Sequence, residues 1–288
     1  MFVPRNAAQR TLLFAFCLLP FVFCLASPPR PEHPQPQFVR DSWLTLNGPW
    51  QFEYDDKNAG LRENWALTGR PFSRQITVPY CPESALSGIG DTSFHPWVWY
   101  RRSFDLPAEW QGRRVLLHFG AVDYRAQVWV NGKMAGPHEG GHVPFSFEIT
   151  PLLNLGENTL TVRAEDPPRD RYIPRGKQYW APKSRGIFYT RTTGIWQTVW
   201  LEAVGSSYLS SVRMTPDLGR GAVEFDFRVV APAPESEIFI EVSYQGQRKA
   251  IGLAAAEEER VSAVVMVPDP QAWSPETPNL YDVTFQLR

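Results

Sequence analysis

The sequence predicts an all-β protein: a jelly-roll β-sandwich followed by an immunoglobulin-like β-sandwich. Three observations carry that class. Short runs that alternate aromatic or β-branched residues with polar ones recur along the chain, separated by turn residues. Of 288 residues 27 are proline and 14% are aromatic, a composition that favours strands and turns over helices. No long apolar stripe at helical spacing interrupts the pattern.

Taken in order, residues 1–27 read as a signal peptide. Arg5 and Arg10 precede an apolar run at residues 11–26, TLLFAFCLLPFVFCLA, which is short for a bilayer span; an uncleaved anchor is the alternative. Cleavage after Ala26 or Ser27 removes Cys17 and Cys24 and leaves Cys81, so no intrachain disulfide is expected. No N-x-Ser/Thr site for N-glycans is present. A secreted or periplasmic protein follows, with no membrane association after cleavage. Residues 28–37 are Pro-rich and polar and read as an extended linker.

The first sandwich is expected over residues 38–203. WQFEY at 50–54 alternates aromatic with polar, YRRSF at 100–104 does so more loosely, and VLLHF at 115–119 reads as a buried strand. QVWV at 127–130 runs into Asn131-Gly132, the strongest short hairpin signal. FSFEI at 145–149 alternates again, residues 155–158 turn into TLTVR at 159–163, and residues 196–204 close the domain. Many short strands with Greek-key-length gaps suggest a jelly roll.

Composition shifts near Gly205: ten of the 11 Trp precede it and only Trp273 follows. Residues 204–288 read as strands at 223–229, 238–244, 261–267 and 281–287, the spacing of an immunoglobulin-like domain. Residues 254–259, AAAEEE, fit either one helical turn or a loop between strands. The last alternation, Tyr281, Val283, Phe285, Leu287, stops without a turn, so this domain is expected to be C-terminally truncated.

Charge is balanced, 29 Lys+Arg against 30 Asp+Glu, which argues against nucleic acid as a partner. Catalytic signatures such as GxSxG, HExxH, CxxC or a phosphate loop are absent. His138 and His142 are four apart, but Glu139-Gly140-Gly141 between them and Pro144 after them argue for a loop and a structural role over a metal site. Cys81 reads as a small buried residue. Asp123, Glu139, Glu165 and Asp166 are acids by type, but nothing pairs them as glycosidase catalysis requires; each reads as solvated or turn-capping. Trp50, Trp129, Trp200 and Trp273 read as core, whereas Trp180 and the Trp97–Trp99 pair fit either core or sugar platform. PRGKQYW at 174–180 places aromatic, amide and cationic groups in one loop, the combination that meets a sugar's apolar face and its hydroxyls.

Nine blocks in order resemble family 2 of the glycoside hydrolases, the group of β-galactosidases, β-glucuronidases and β-mannosidases. They are LNGPWQF (46–52), VPYCPESALSGIG (78–90), WYRRSF (99–104), HFGAVDYRAQVWVNGK (118–133), GPHEGGHVPFSFEIT (136–150), GENTLTVRAED (156–166), PRGKQYW, TTGIWQTVWLE (192–202) and AWSPETPNLYDV (272–283). The resemblance implies a jelly roll, an immunoglobulin-like domain and then a TIM barrel, which holds both catalytic Glu residues of a retaining β-glycosidase. No catalytic residue carries over to this chain. In the family's galactosidases and glucuronidases a sugar-contacting Asp lies six residues before the Gly of a Gly-Ile pair; here that Gly is Gly194 and the position holds Phe188. The resemblance points instead to Arg175, Lys177, Gln178, Trp180 and Arg191 as substrate-lining residues. It implies a carbohydrate substrate, the absent barrel as partner, a homo-oligomer as in many relatives, and no cofactor or metal. A stand-alone carbohydrate-binding protein is the alternative, and a structural or adhesion sandwich pair the third reading.

Overall fold

The computed structural model describes residues 27–288. The expected signal peptide, with Cys17 and Cys24, lies outside the described residues except for Ser27. Among the described residues no helix is long and apolar enough to cross a membrane.

The first sandwich runs β1 (Trp43–Thr45), β2 (Gly48–Tyr54), β3 (Arg74–Val78), β4 (Trp97–Phe104), β5 (Arg114–Phe119), β6 (Val122–Asp123), β7 (Arg125–Val130), β8 (Lys133–Glu139), β9 (Phe145–Glu148), β10 (Asn158–Glu165), β11 (Gly194–Ile195) and β12 (Val199–Val204). A six-stranded sheet, β3-β2-β4-β10-β7-β8, faces a four-stranded sheet, β1-β12-β5-β9, and a β6–β11 ladder stands apart from both. All of these pairs are antiparallel. The period-2 pattern decides what fills the space between the sheets. Phe52, Tyr100, Val128 and Val162 point inward from one sheet and meet Leu117, Phe119, Val199 and Leu201 from the other. Full burial of each such side chain stabilises the fold by about 1.5–3 kcal/mol. The Asn131–Gly132 corner has positive φ at both residues, 51° and 75°, as a type I′ hairpin requires.

The opposite parity of β4 and β7 explains the tryptophans. Trp99 and Trp129 stack 5.5 Å apart on the outer face of the six-stranded sheet, where Trp65 and Phe72 cover them. Trp99 is therefore core, and its indole N–H donates to Asp55 at 3.0 Å.

The second sandwich has six strands: β13 (Tyr208–Asp217), β14 (Ala222–Val230), β15 (Glu237–Tyr244), β16 (Gln247–Ala255), β17 (Arg260–Met266) and β18 (Asp282–Leu287). They form two three-stranded sheets, β13-β14-β17 and β16-β15-β18, around Phe225, Phe227, Ile238, Ile240 and Val265. This is the immunoglobulin-like architecture. Two strands were not expected. β13 buries only Leu209 fully enough to signal itself, and β16 points its small residues, Ala250, Gly252 and Ala254, inward and its large ones, Ile251 and Leu253, outward. A Cβ on Gly252 would run into Val265, so the close approach of β16 to β17 selects glycine there. Residues 254–259 end β16 and cross to β17 without a helical turn.

Three further expectations are corrected. Trp273 is 60% exposed rather than core, because it lies in an irregular segment between β17 and β18. His138 lies in β8 rather than in a loop, stacked 3.9 Å from Phe145. Residues 28–37 are not a free extended linker. The backbone carbonyl of Pro29 accepts from Asn47 at 3.1 Å, and His33 packs edge-on against Trp43 at 4.8 Å. Arg40, just beyond, donates to Glu202 at 2.7 Å and to the Leu209 carbonyl at 2.6 Å, tying the two sandwiches together.

Candidate functional site

Between β10 and β11 the chain leaves the sandwich for residues 166–193, an irregular excursion of the length that in compact domains usually serves function. Its start and end are fixed by the sheets. β10 is a buried central strand, and β11 pairs with β6 through Gly194–Asp123 and Ile195–Val122. Gly194 has φ +76°, and a Cβ there would strike the Tyr100 ring, so only glycine fits. The Tyr100 hydroxyl accepts from the Ile195 N–H at 3.2 Å beside it.

The outer part of the excursion carries an aromatic cluster. Tyr179 stacks on Phe188 at 5.1 Å, and Trp180 stands edge-on to both, at 4.9 and 5.3 Å. Phe188 is thus part of the loop's own packing. Trp180 stays 45% exposed, and Tyr172 and Tyr189 are exposed near it in sequence. Beside Trp180 lies an open cavity of about 360 Å³ lined by Arg169, Asp170, Arg171, Ile173 and Arg175. Its size and its mix of an aromatic face with cationic walls suit one sugar ring.

Of the five expected lining residues, Arg175 and Trp180 line this cavity. Arg175 also donates to the carbonyls of Pro168 at 2.7 Å, Pro167 at 3.2 Å and Asp170, closing the neck of the loop. Lys177 is exposed. Gln178 and Arg191 do not line the cavity: each is 4% exposed and engaged with the sandwich. Gln178 donates to Asp123 at 2.8 Å and accepts from the Thr192 N–H at 2.7 Å. Arg191 donates to the Thr92 carbonyl at 2.8 Å and to that of Ser93, sits 4.1 Å above the Phe94 ring, and lies 3.9 Å from Glu83.

Beneath the loop is a set of buried acids, Asp123, Asp166 and Glu83, the first two of which the sequence pattern predicts as solvated or turn-capping. Asp123 is 3% and Asp166 6% exposed. Thr192 donates to Asp123 at 3.3 Å, Thr193 donates its hydroxyl to Asp166 at 3.1 Å, and the Thr193 N–H donates to Glu83 at 3.2 Å. Burial, and then the charge of Asp123, push the Asp166 carboxyl up to about 7. Burial likewise raises Asp123 and Glu83, against hydrogen bonds that favour their charged forms. The signal in the sequence was Asp123 itself, an acid inside the apolar run Ala121-Val122-Asp123-Tyr124. Glu139 is exposed and pairs with Arg125 at 3.0 Å, as expected, whereas Glu165 is half-buried in β10 and pairs with the buried Arg163 at 3.3 Å.

Cys81 is partly buried, and its thiol is pushed up to about 12 by burial and by Glu83. Among the described residues no group of His, Cys, Asp and Glu is placed to hold a metal ion. His142 lies edge-on to Trp196 at 5.7 Å.

The sugar-binding domain of the family 2 glycosyl hydrolases matches residues 44–191, and the second domain of that family matches residues 207–288. A β-galactosidase of Thermoanaerobacter pseudethanolicus is 27% identical over 253 residues, 84% of this chain and 31% of that protein. A β-glucuronidase of Felis catus is 28% identical over 219 residues, 66% of this chain and 33% of that protein. In three dimensions, a β-glucuronidase from an uncultured Clostridium superimposes with a TM-score of 0.62 at 25% identity, covering 86% of this chain and 44% of that one. The chain thus spans about a third of the length of the curated relatives it matches. With both domains matched, this chain belongs to the family 2 glycosyl hydrolases.

Proposed function

We propose that this chain is the non-catalytic N-terminal part of an exported, retaining β-glycosidase. The whole enzyme would hydrolyse terminal β-linked O-glycosyl bonds through a covalent glycosyl-enzyme. Its two catalytic Glu residues would come from a barrel that this chain does not contain, and the loop at 166–193 would frame one side of the sugar site. The observation that carries the reading is the coverage: two family 2 domains match residues 44–191 and 207–288, while the matched part is only about a third of the relatives named β-galactosidase and β-glucuronidase. The exposed Trp180 beside a sugar-sized cavity supports the framing role. Export rests on residues 1–27 and is tested by the N-terminal sequence of the mature protein.

The deciding experiment is to read the coding DNA beyond the Arg288 codon. The expected result is a frame that continues into a barrel with an Asn-Glu pair and a second Glu, while the purified chain alone leaves 4-nitrophenyl β-D-galactoside and β-D-glucuronide unhydrolysed. A stop codon with no barrel downstream overturns the proposal. It would favour the second reading, a carbohydrate-binding protein, for which the same exposed aromatics speak and which a glycan array would test.

A further inference from the structure

Arg191, Thr192 and Thr193 anchor the returning end of the excursion to the sandwich, but its outer part, residues 171–190, has few hydrogen bonds to it. Its internal hydrogen bonds are local: Tyr179 N–H to the Tyr189 carbonyl at 2.8 Å, Tyr189 N–H to Lys177 at 3.1 Å, Phe188 N–H to Arg185 at 3.1 Å. Arg175 binds only carbonyls of the loop's own neck. Among the described residues, one hydrogen bond ties positions 171–190 to a strand residue: Gln178 to Asp123, the last residue of β6, at 2.8 Å. Through that same amide Gln178 accepts from the Thr192 N–H, so the outgoing and returning arms of the loop meet on one carboxylate.

The surroundings of Asp123 are built to hold it in one place. A Cβ on Gly141 would collide with the Asp123 carboxylate, so the backbone of the β8–β9 turn closes over it. The Trp196 indole N–H fixes that turn by donating to the Gly141 carbonyl at 2.8 Å. A buried carboxylate that accepts two hydrogen bonds from a loop, and has no cation within ion-pair distance among the described residues, is a costly way to stabilise a sandwich. It is an effective way to orient a loop whose outer face must stay exposed.

We propose that Asp123 is the positioning residue of the sugar site: through Gln178 it sets the Tyr179–Trp180–Phe188 cluster in its binding orientation. The inference rests on the reading of the loop as one wall of that site. Asp123 touches no sugar itself and acts only through Gln178 and Thr192.

Hydrogen exchange of the whole chain, wild type against Asp123→Ala, Asp123→Asn and Gln178→Ala, tests it at pH 6. Asp123→Ala is expected to speed exchange at Tyr179, Tyr189 and Thr192 by on the order of tenfold, the effect of losing one hydrogen bond to a charged group, while strand amides keep their protection. Asp123→Asn keeps an acceptor for the Gln178 amide and is expected to restore most of the protection. Gln178→Ala removes the tie from the loop side with β6 untouched and should match Asp123→Ala; it keeps the test open if the latter fails to fold. Unchanged loop exchange in Gln178→Ala, with strands protected, overturns the proposal. Tryptophan-emission titrations with methyl β-D-glucuronide and methyl β-D-galactoside, run on the same proteins, report separately on the site. If the loop loosens in the variants and wild type binds neither probe, the positioning role stands, and the glycosidase reading is decided separately by the coding DNA beyond the Arg288 codon.

Discussion

The buried acids make the first sandwich sensitive to pH in a direction that can be worked out. Asp166 has its carboxyl raised from 3.8 to about 7, by burial first and by Asp123 second. The folded state therefore binds this proton more tightly than the unfolded chain, so the Asp166 contribution to stability is fully present below about pH 4 and is lost as pH rises toward 7. A difference of about 3 pH units at about 1.4 kcal/mol each sets a ceiling of about 4 kcal/mol. Glu83 and Asp123 shift in the same direction and add to the slope; Arg175 lies near both aspartates and Arg191 beside Glu83, and these cations oppose it. The perturbation is Asp166→Asn, which leaves an amide oxygen to accept from Thr193 and removes the titration. Urea unfolding followed by tryptophan emission is the assay, because ten of the 11 Trp precede residue 205 and so report on this sandwich. Between pH 5 and 8 the wild type should lose on the order of 2–4 kcal/mol that the variant keeps. Parallel stability curves for the two proteins over that range would refute the reasoning.

Three other outcomes follow from the geometry. Glu202 shows the opposite sign. Burial disfavours its charge, but His118 at 3.6 Å, the Trp200 indole N–H and Arg40 outweigh that and hold its carboxyl at about 2. It therefore stabilises the fold above about pH 4.5, and that contribution, on the order of 3 kcal/mol, should fade between pH 4.5 and 2 in the wild type but not in Glu202→Gln, as urea unfolding over that range would show. Cys81, pushed up to about 12, should resist a thiol reagent at pH 8 in the native protein and react in urea; equal rates would contradict its burial. Trp99→Ala removes a fully buried indole from the Trp65–Trp99–Trp129 stack and leaves Asp55 short of a donor, so a loss of about 3–5 kcal/mol is expected by the same emission assay.

The sequence was most legible where one face of a strand is apolar. The alternation in β2, the buried run of β5 and the Asn131–Gly132 hairpin are local patterns, and they mark strands without knowledge of neighbours. β16 failed that test because its inward residues are small, a choice dictated by β17 across the sandwich and invisible from within the segment. The linker at 28–37 failed for the same kind of reason. Its partners are Asn47, 18 residues from Pro29, and Trp43 and Glu202, 10 and 169 residues from His33, and only the fold assembles them. In the candidate site, composition marked the loop at 174–180, because aromatic, amide and cationic groups sit side by side. It could not sort them. Gln178 and Arg191 look as suited to a sugar as Arg175 and Trp180, and only the position of β6 and of residues 92–94 shows that the first two face inward.

The two halves of this result explain each other. The loop packs Tyr179, Trp180 and Phe188 on one another, but a loop that leaves Trp180 45% exposed is not locked onto the sandwich by burial of that cluster. Directional bonds must do so instead. Neutral acceptors such as strand carbonyls are already paired in the ladders of β7 and β10, which leaves side chains at the strand ends. A carboxylate at the end of β6 accepts two bonds at once, from Gln178 and Thr192, and keeps its geometry because the turn around Gly141 encloses it. The desolvation of Asp123, Asp166 and Glu83 is the consequence, and it appears in the raised carboxyls and in the pH dependence predicted above. A sandwich selected for stability alone would place apolar residues at these three positions. They lie under a loop that leaves Tyr172, Trp180 and Tyr189 exposed beside an open cavity, and that placement fits the positioning role proposed for Asp123.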